Sequence, residues 1–172
     1  MLKIFQKVSL LFLLSVSTLY ADTPYYLDFK YVLNQSDAGK KAQDTLKKKL
    51  EGGLKKISVT EKSLQEEEKK IIQQKKLVKP EEYKKKVEEL RKKVSNLQRE
   101  RNTLLQTVSK QRSKAKNTLL KNLNPILENY MKEKNIKMII DKKNLLLADK
   151  SLDITKEIAK ILNQKLKSIK LD

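Results

Sequence analysis

The sequence of 172 residues contains no cysteine and no histidine. Thiol nucleophiles, disulfides, imidazole bases and the usual zinc ligand sets are therefore excluded. Glycine is almost as scarce: Gly39, Gly52 and Gly53 are the full set, too few and wrongly spaced for a phosphate-cradling loop. Carboxylates are the only catalytic groups left in number. Those that cluster, Glu66-Glu67-Glu68 and Glu81-Glu82, lie among lysines in repetitive sequence, as a solvated helix face does. No catalytic residue, cofactor site or metal site is expected, and the chain does not read as an enzyme.

The first residues address the chain for export. Lys3 and Lys7 precede an apolar run from Val8 to Val16, and Ser17-Thr18-Leu19-Tyr20-Ala21 ends on a small residue. Residues 1–21 read as a cleaved secretory signal peptide. The run is short for a bilayer span, which needs about 20 apolar residues. An uncleaved anchor is the alternative. Export from the cytoplasm is therefore expected.

Positive charge dominates what remains. Without Lys3 and Lys7, Lys plus Arg falls from 40 to 38 against 21 Asp plus Glu, a surplus of 17. Such a surplus points to an anionic partner: nucleic acid, a lipid or lipopolysaccharide surface, or acidic proteins. Export places most nucleic acid in the wrong compartment, and no stacking platform or known nucleic-acid module is visible. No nucleic-acid partner is expected. Many single lysines serve only to keep a long helix soluble.

Composition divides the exported chain. Aromatic residues gather at its start as Tyr25, Tyr26, Phe29 and Tyr31, and Tyr25–Phe29 reads as a strand. From Gly39 to about Leu119 the sequence is Lys, Glu, Gln and Leu with little turn chemistry, which predicts helix. Ile136–Ile140 and Leu145–Ala148 read as two short strands joined tightly through Asp141-Lys142-Lys143-Asn144. Ile154, Ile158, Ile161, Leu162, Leu166 and Ile169 share one face of a last helix.

The helical stretch carries a seam. Leu50, Ile57, Leu64, Ile71 and Val78 recur every seven residues. Tyr83, Val87, Leu90, Val94, Leu97, Leu104 and Val108 follow at alternating spacings of four and three, interrupted at Arg101. Between the runs, Lys79-Pro80-Glu81-Glu82 has a proline suited to a first helical turn and acids suited to a helix start. An antiparallel hairpin with its tip near residues 79–80 is predicted, reaching roughly 60 Å at 1.5 Å per residue. A straight parallel coiled-coil dimer is the alternative that the proline disfavours. Gly52 and Gly53 cost the first helix about 1 kcal/mol each relative to alanine. They are either tolerated weak points or a hinge.

The expected fold is mainly α with a small β body. Residues 22–39 and 120–172 form the body, 71 residues in all, and residues 40–119 form the arm. A core of that size rarely supplies more than about 3–5 kcal/mol, and disulfide staples are impossible, so the body should be completed by oligomerisation. Its open strand edges are templates for another chain. The copy number does not follow from this argument.

One resemblance is specific. Tyr25-Tyr26-Leu27-Asp28-Phe29-Lys30-Tyr31-Val32-Leu33 runs through Asp37-Ala38-Gly39-Lys40-Lys41-Ala42 into the long helix. Pro125-Ile126-Leu127, Asn135-Ile136-Lys137-Met138-Ile139-Ile140-Asp141 and Leu152-Asp153-Ile154-Thr155 follow in order. The exported chain resembles the Skp/OmpH family of periplasmic chaperones, also called seventeen-kilodalton-protein-like. The resemblance implies a homotrimer whose body is a β-barrel built from strands of all three subunits, with three hairpin arms around a cavity. It implies an ATP-independent holdase for unfolded outer-membrane β-barrel proteins, with no active site.

The charge pattern suits that implication. Residues 69–93 hold 11 Lys/Arg against 4 acids. Lys75, Lys76, Lys79, Lys84, Lys85, Lys86, Lys92 and Lys93 are the candidate client-binding residues, acting as a diffuse field near the tip. Gly52 and Gly53 are the candidate hinge. The second reading is a structural or adaptor coiled coil of the envelope that binds an anionic outer-membrane surface.

Overall fold

The computed structural model describes residues 23–171. The expected signal peptide lies outside them. The element order is β1 (Tyr25–Leu27), α1 (Phe29–Gln35), α2 (Asp37–Gln74), α3 (Pro80–Glu133), β2 (Ile139–Asp141) and α4 (Thr155–Lys165), with 3-10 turns at Lys142–Asn144 and Lys150–Leu152.

The strand expected over Tyr25–Phe29 stops at Leu27, because Asp28 caps a helix. Its Oδ1 accepts from the Tyr31 backbone N–H at 2.8 Å, which favours a helix start at Phe29. Helix α1 is ended and α2 begun by one residue. The backbone N–H of Ser36 donates to Val32 O, while its Oγ accepts from Gly39 N. The two helices approach closely there. A Cβ on Gly39 would lie 2.0 Å from the Leu33 carbonyl oxygen, so only glycine fits.

Helices α2 and α3 pack against each other as the predicted hairpin. The turn closes through Leu77 N and Val78 N, both donating to Gln74 O, and Pro80 occupies the first turn of α3 with Glu81 and Glu82. Ile57, Leu64, Ile71, Leu90 and Val108 are buried along the seam. Val94 is a correction to the heptad reading, being 50% exposed. A straight helix drifts about 20° per heptad, so a fixed 3/4 frame does not hold every member on the seam.

Helix α3 continues unbroken past Leu119 and through Pro125 to Glu133. Its end is made by Asn135, whose φ of 52° is left-handed, while Ile136 N donates to Met131 O at 2.8 Å and the Ile136 side chain is buried. This is a helix stop with a hydrophobic closure.

The sheet has two strands, β1 and β2, paired in parallel with Tyr25 opposite Ile139 and Leu27 opposite Asp141. Strand β2 is shifted relative to the expected Ile136–Ile140. The expected strand at Leu145–Ala148 is a further correction: that segment lies outside the sheet. Asp141 caps the 3-10 turn that follows β2 by accepting from Lys143 N, and this turn carries the chain away from its own sheet. Leu146 and Leu147 are left 103% and 91% exposed.

The body core joins Leu27, Val32, Leu119, Leu123, Ile126, Tyr130, Ile136, Ile154, Ile158 and Leu162. Fully burying a side chain such as Leu123 contributes roughly 1.5–3 kcal/mol. Asp153-Ile154-Thr155 locks the last helix onto the first strand. Thr155 Oγ1 accepts from Asp28 N at 2.8 Å, and Ile154 N donates to Tyr26 O at 3.0 Å. Asp153 Oδ1 accepts from Thr155 N at 2.9 Å. Helix α4 ends at Lys165, earlier than the expected Ile169, and residues beyond Leu166 leave the helix while Leu166 and Ile169 still pack on the core.

Candidate functional site

The hairpin tip is a short turn between two helix ends, so its side chains project outward. Lys75, Lys76, Lys79, Lys84 and Lys85 are all exposed there. Leu77 lies in the same turn at 81% exposure, an apolar residue in a lysine-rich segment. The other candidate lysines are placed differently. Lys86 is half-buried, with its Nζ 2.9 Å from Gln74 Oε1 and 3.0 Å from Glu82 Oε1. Lys93 reaches across the hairpin to Glu67 Oε1 at 2.6 Å. Lys92 is exposed farther down the arm. The structure thus gathers five of the eight at the tip and engages two in holding the helices together.

A second surface runs along α3. Val94, Arg101, Leu105 and Arg112 are spaced by seven, four and seven residues, which places them on one helix face. All four are exposed, Leu105 at 46%. The stripe alternates aliphatic and guanidinium groups. At its lower end Arg112 borders a groove of about 1170 Å3 between α1, the lower parts of α2 and α3, and the turn after β2. Phe29, Leu33, Leu46 and Leu50 give the groove an apolar lining, and Lys47, Arg112, Lys116 and Lys142 contribute cations. The sequence signal for this stripe was Leu105, an apolar residue outside the heptad frame.

The expected hinge residues lie within α2 and differ in surroundings. Gly52 has open space where a side chain would go, whereas Gly53 faces Leu104 across the seam.

Three ionisable groups in the body are shifted: hydrogen bonds from Ser151 hold the Asp149 carboxyl below its usual range at a 3-10 turn, and the other two bear on α4. Burial, reinforced by the hydrogen bond to Glu157 Oε2 at 2.5 Å, raises the pKa of Tyr130. Burial works against the charged form of Asp153, yet hydrogen bonds from Thr155 and the nearby Lys142 ammonium together hold its carboxyl below the usual range. Both are structural: one links α3 to α4, the other starts α4.

The sequence pattern of the outer membrane protein (OmpH-like) family matches residues 25–162, most of the chain. The protein belongs to the OmpH-like family. A crystal structure of an OmpH-like protein from Caulobacter crescentus CB15, one taken to be an outer membrane chaperone, has the same fold. Its TM-score is 0.78 at 18% identity, covering 87% of this chain and 90% of that one. No curated protein matches the sequence. Within the OmpH-like family frame, the long hairpin and the small two-stranded body are the expected architecture.

Proposed function

We propose that this OmpH-like protein is an ATP-independent, non-enzymatic chaperone of the periplasm that holds unfolded outer-membrane β-barrel proteins and keeps them from aggregating. The observation that carries the reading is the exposed surface of the hairpin. A cationic tip bearing Leu77 and an aliphatic–guanidinium stripe along α3 offer many weak contacts spread over the hairpin. An unfolded β-barrel strand alternates apolar and polar residues, so its recognition calls for plural, forgiving contacts. The surplus positive charge provides long-range capture of acidic chains, and the exposed aliphatic groups provide short-range contact.

The working form in this reading is a homotrimer, whose three hairpins surround the client. Two observations support assembly. Leu146 and Leu147 are bare in the single chain, and strand β2 stands at the edge of a sheet of only two strands. Neither is a stable arrangement for an isolated small body.

The test is dilution of a urea-unfolded outer-membrane β-barrel protein into buffer, without nucleotide, in the presence of the chaperone. Light scattering should be suppressed at a stoichiometric excess, and a soluble complex should elute on gel filtration. Unchanged scattering and no complex would remove the reading. A chain in which Leu46–Ala115 is replaced by a short flexible linker should lose protection, since it lacks the tip and the stripe.

A further inference from the structure

Helix α4 ends where Leu166 N donates to Leu162 O, with Leu166 itself extended at φ −131° and ψ 105°. Residues 166–171 keep their apolar side chains in and their polar ones out. Leu166, Ile169 and Leu171 are half-buried, while Lys167, Ser168 and Lys170 are exposed. Leu166 and Ile169 pack against the body core.

The same segment is held by the root of the hairpin. Lys41 Nζ of α2 donates to the carbonyl of Lys167 at 3.3 Å. Gln111 Nε2 of α3 donates to the carbonyl of Leu171. The Gln111 side chain is itself fixed from the other helix, because its Oε1 accepts from Lys49 Nζ at 3.0 Å. Lys41 and Lys49 are eight residues apart, about 12 Å along α2. Six residues therefore start on the body and reach both helices of the hairpin root, α2 through Lys167 and α3 through Leu171.

We infer that residues 166–171 are a strap that fixes the angle between the α2–α3 hairpin and the body, and that its release lets the hairpin swing. The physical case rests on how the segment is held. Leu166 and Ile169 pack on the body, whereas the carbonyls of Lys167 and Leu171 are held by arm side chains, so swinging the hairpin must break one set. The polar set is the weaker. Hydrogen bonds at a solvent-accessible surface contribute little net stability, so this end of the strap opens without unfolding the core. Because the arm holds backbone carbonyls, the lysine side chains of the strap should be dispensable while Gln111 is not. The inference stands apart from what the hairpin holds.

The absence of native cysteine allows clean spin labelling. Lys76→Cys at the tip and Lys137→Cys on the exposed body report the hairpin angle, with labelled chains diluted into unlabelled protein to isolate distances within one copy. A chain ending at Lys165 should give a broadened distance distribution relative to the full chain. Gln111→Ala, which keeps every strap residue, should broaden it part-way and accelerate amide exchange across residues 166–171 by about tenfold, as local opening does. Lys167→Ala with Lys170→Ala should change neither. Should the shortened chain fail to fold, the Gln111→Ala result decides. Distances and exchange unaffected by Gln111→Ala, or equally affected by the lysine pair, would overturn the strap.

Discussion

Gly53 faces Leu104 so closely that a Cβ on it would lie 2.4 Å from Leu104 Cδ2 and 2.8 Å from Cδ1. Gly52, its neighbour, meets nothing within 4 Å. The adjacent glycines therefore answer to different physics. Gly52 carries only the helix-propensity cost, so Gly52→Ala should stabilise the hairpin by about 1 kcal/mol in urea unfolding. Gly53→Ala gains the same propensity but must push Leu104 aside, and overpacking of that kind costs roughly 1–3 kcal/mol. The net effect should be neutral to destabilising. Combining Gly53→Ala with Leu104→Ala should reveal a favourable coupling above about 0.5 kcal/mol. Equal stabilisation by both glycine substitutions would mean that the seam is looser than this contact indicates. A hinge role for the pair would show separately, as narrower tip-distance distributions in Gly52→Ala.

The start of α4 should be acid-sensitive. The Asp153 carboxyl titrates below its ordinary value of 3.8 in the folded body. A group whose pKa is lowered by folding adds stability that is present above the unfolded value and is lost as pH falls through the folded one. Thermal stability should therefore be level from pH 7 to about pH 5 as far as this group contributes, and decline below about pH 4. Asp153→Asn should flatten that decline while keeping an acceptor for the Thr155 N–H. Asp153→Ala should cost about 1 kcal/mol at pH 7, as lost helix-start acceptors do. An acid limb identical in Asp153→Asn would assign the sensitivity to other carboxyls.

Much of this architecture is legible in the sequence because local chemistry and global shape agree. Lys79-Pro80-Glu81-Glu82 announces a helix start wherever it stands, and the seven-residue spacing of Ile57, Leu64 and Ile71 fixes the buried side of α2. The corrections fall where two readings of one pattern compete. Leu145–Ala148 is apolar and short, as a strand is, but nothing in its residues says which edge it meets. Leu166 and Ile169 keep helical spacing with Ile158 and Leu162, yet they are equally well placed on a core by extended chain. The roles of the tip lysines were separable only with the register of the hairpin known. Lys93 and Glu67 are 26 positions apart, and their pairing leaves no trace in composition.

Assembly should depend on the bare leucines. Leu146 and Leu147 carry no structural duty within one chain, so Leu146→Ser with Leu147→Ser should leave the body of a single chain intact by circular dichroism. If these side chains are covered by other copies, native mass spectrometry should give a trimer for the parent protein and smaller species for the variant. A parent protein that is monomeric at micromolar concentration would count against the trimer, and a variant that stays trimeric would place the contact elsewhere.

The last expectation separates charge from apolar contact at the hairpin surface. At physiological ionic strength the screening length is near 8 Å, so raising salt to about 0.5 M removes chiefly the long-range attraction. Capture of an acidic unfolded outer-membrane protein should slow accordingly in stopped-flow mixing, while its release slows or quickens far less, because aliphatic contacts are not screened. Charge reversal should reproduce the effect at low salt, provided the lysines chosen do not also hold the hairpin. Lys86 and Lys93 fail that condition, being engaged with Gln74, Glu82 and Glu67. Lys79→Glu, Lys84→Glu and Lys85→Glu meet it, since all three are exposed and Lys and Glu have similar helix propensity. New acids at the start of α3 also suit the positive end of its dipole, so the variant should fold at least as well as the parent. Substituting Leu77, Val94 and Leu105 with serine should do the converse, leaving capture fast and release faster. Capture indifferent to both salt and charge reversal would restrict the surplus lysines to solubility, and release indifferent to the serine substitutions would move the apolar contact off this face of the arm.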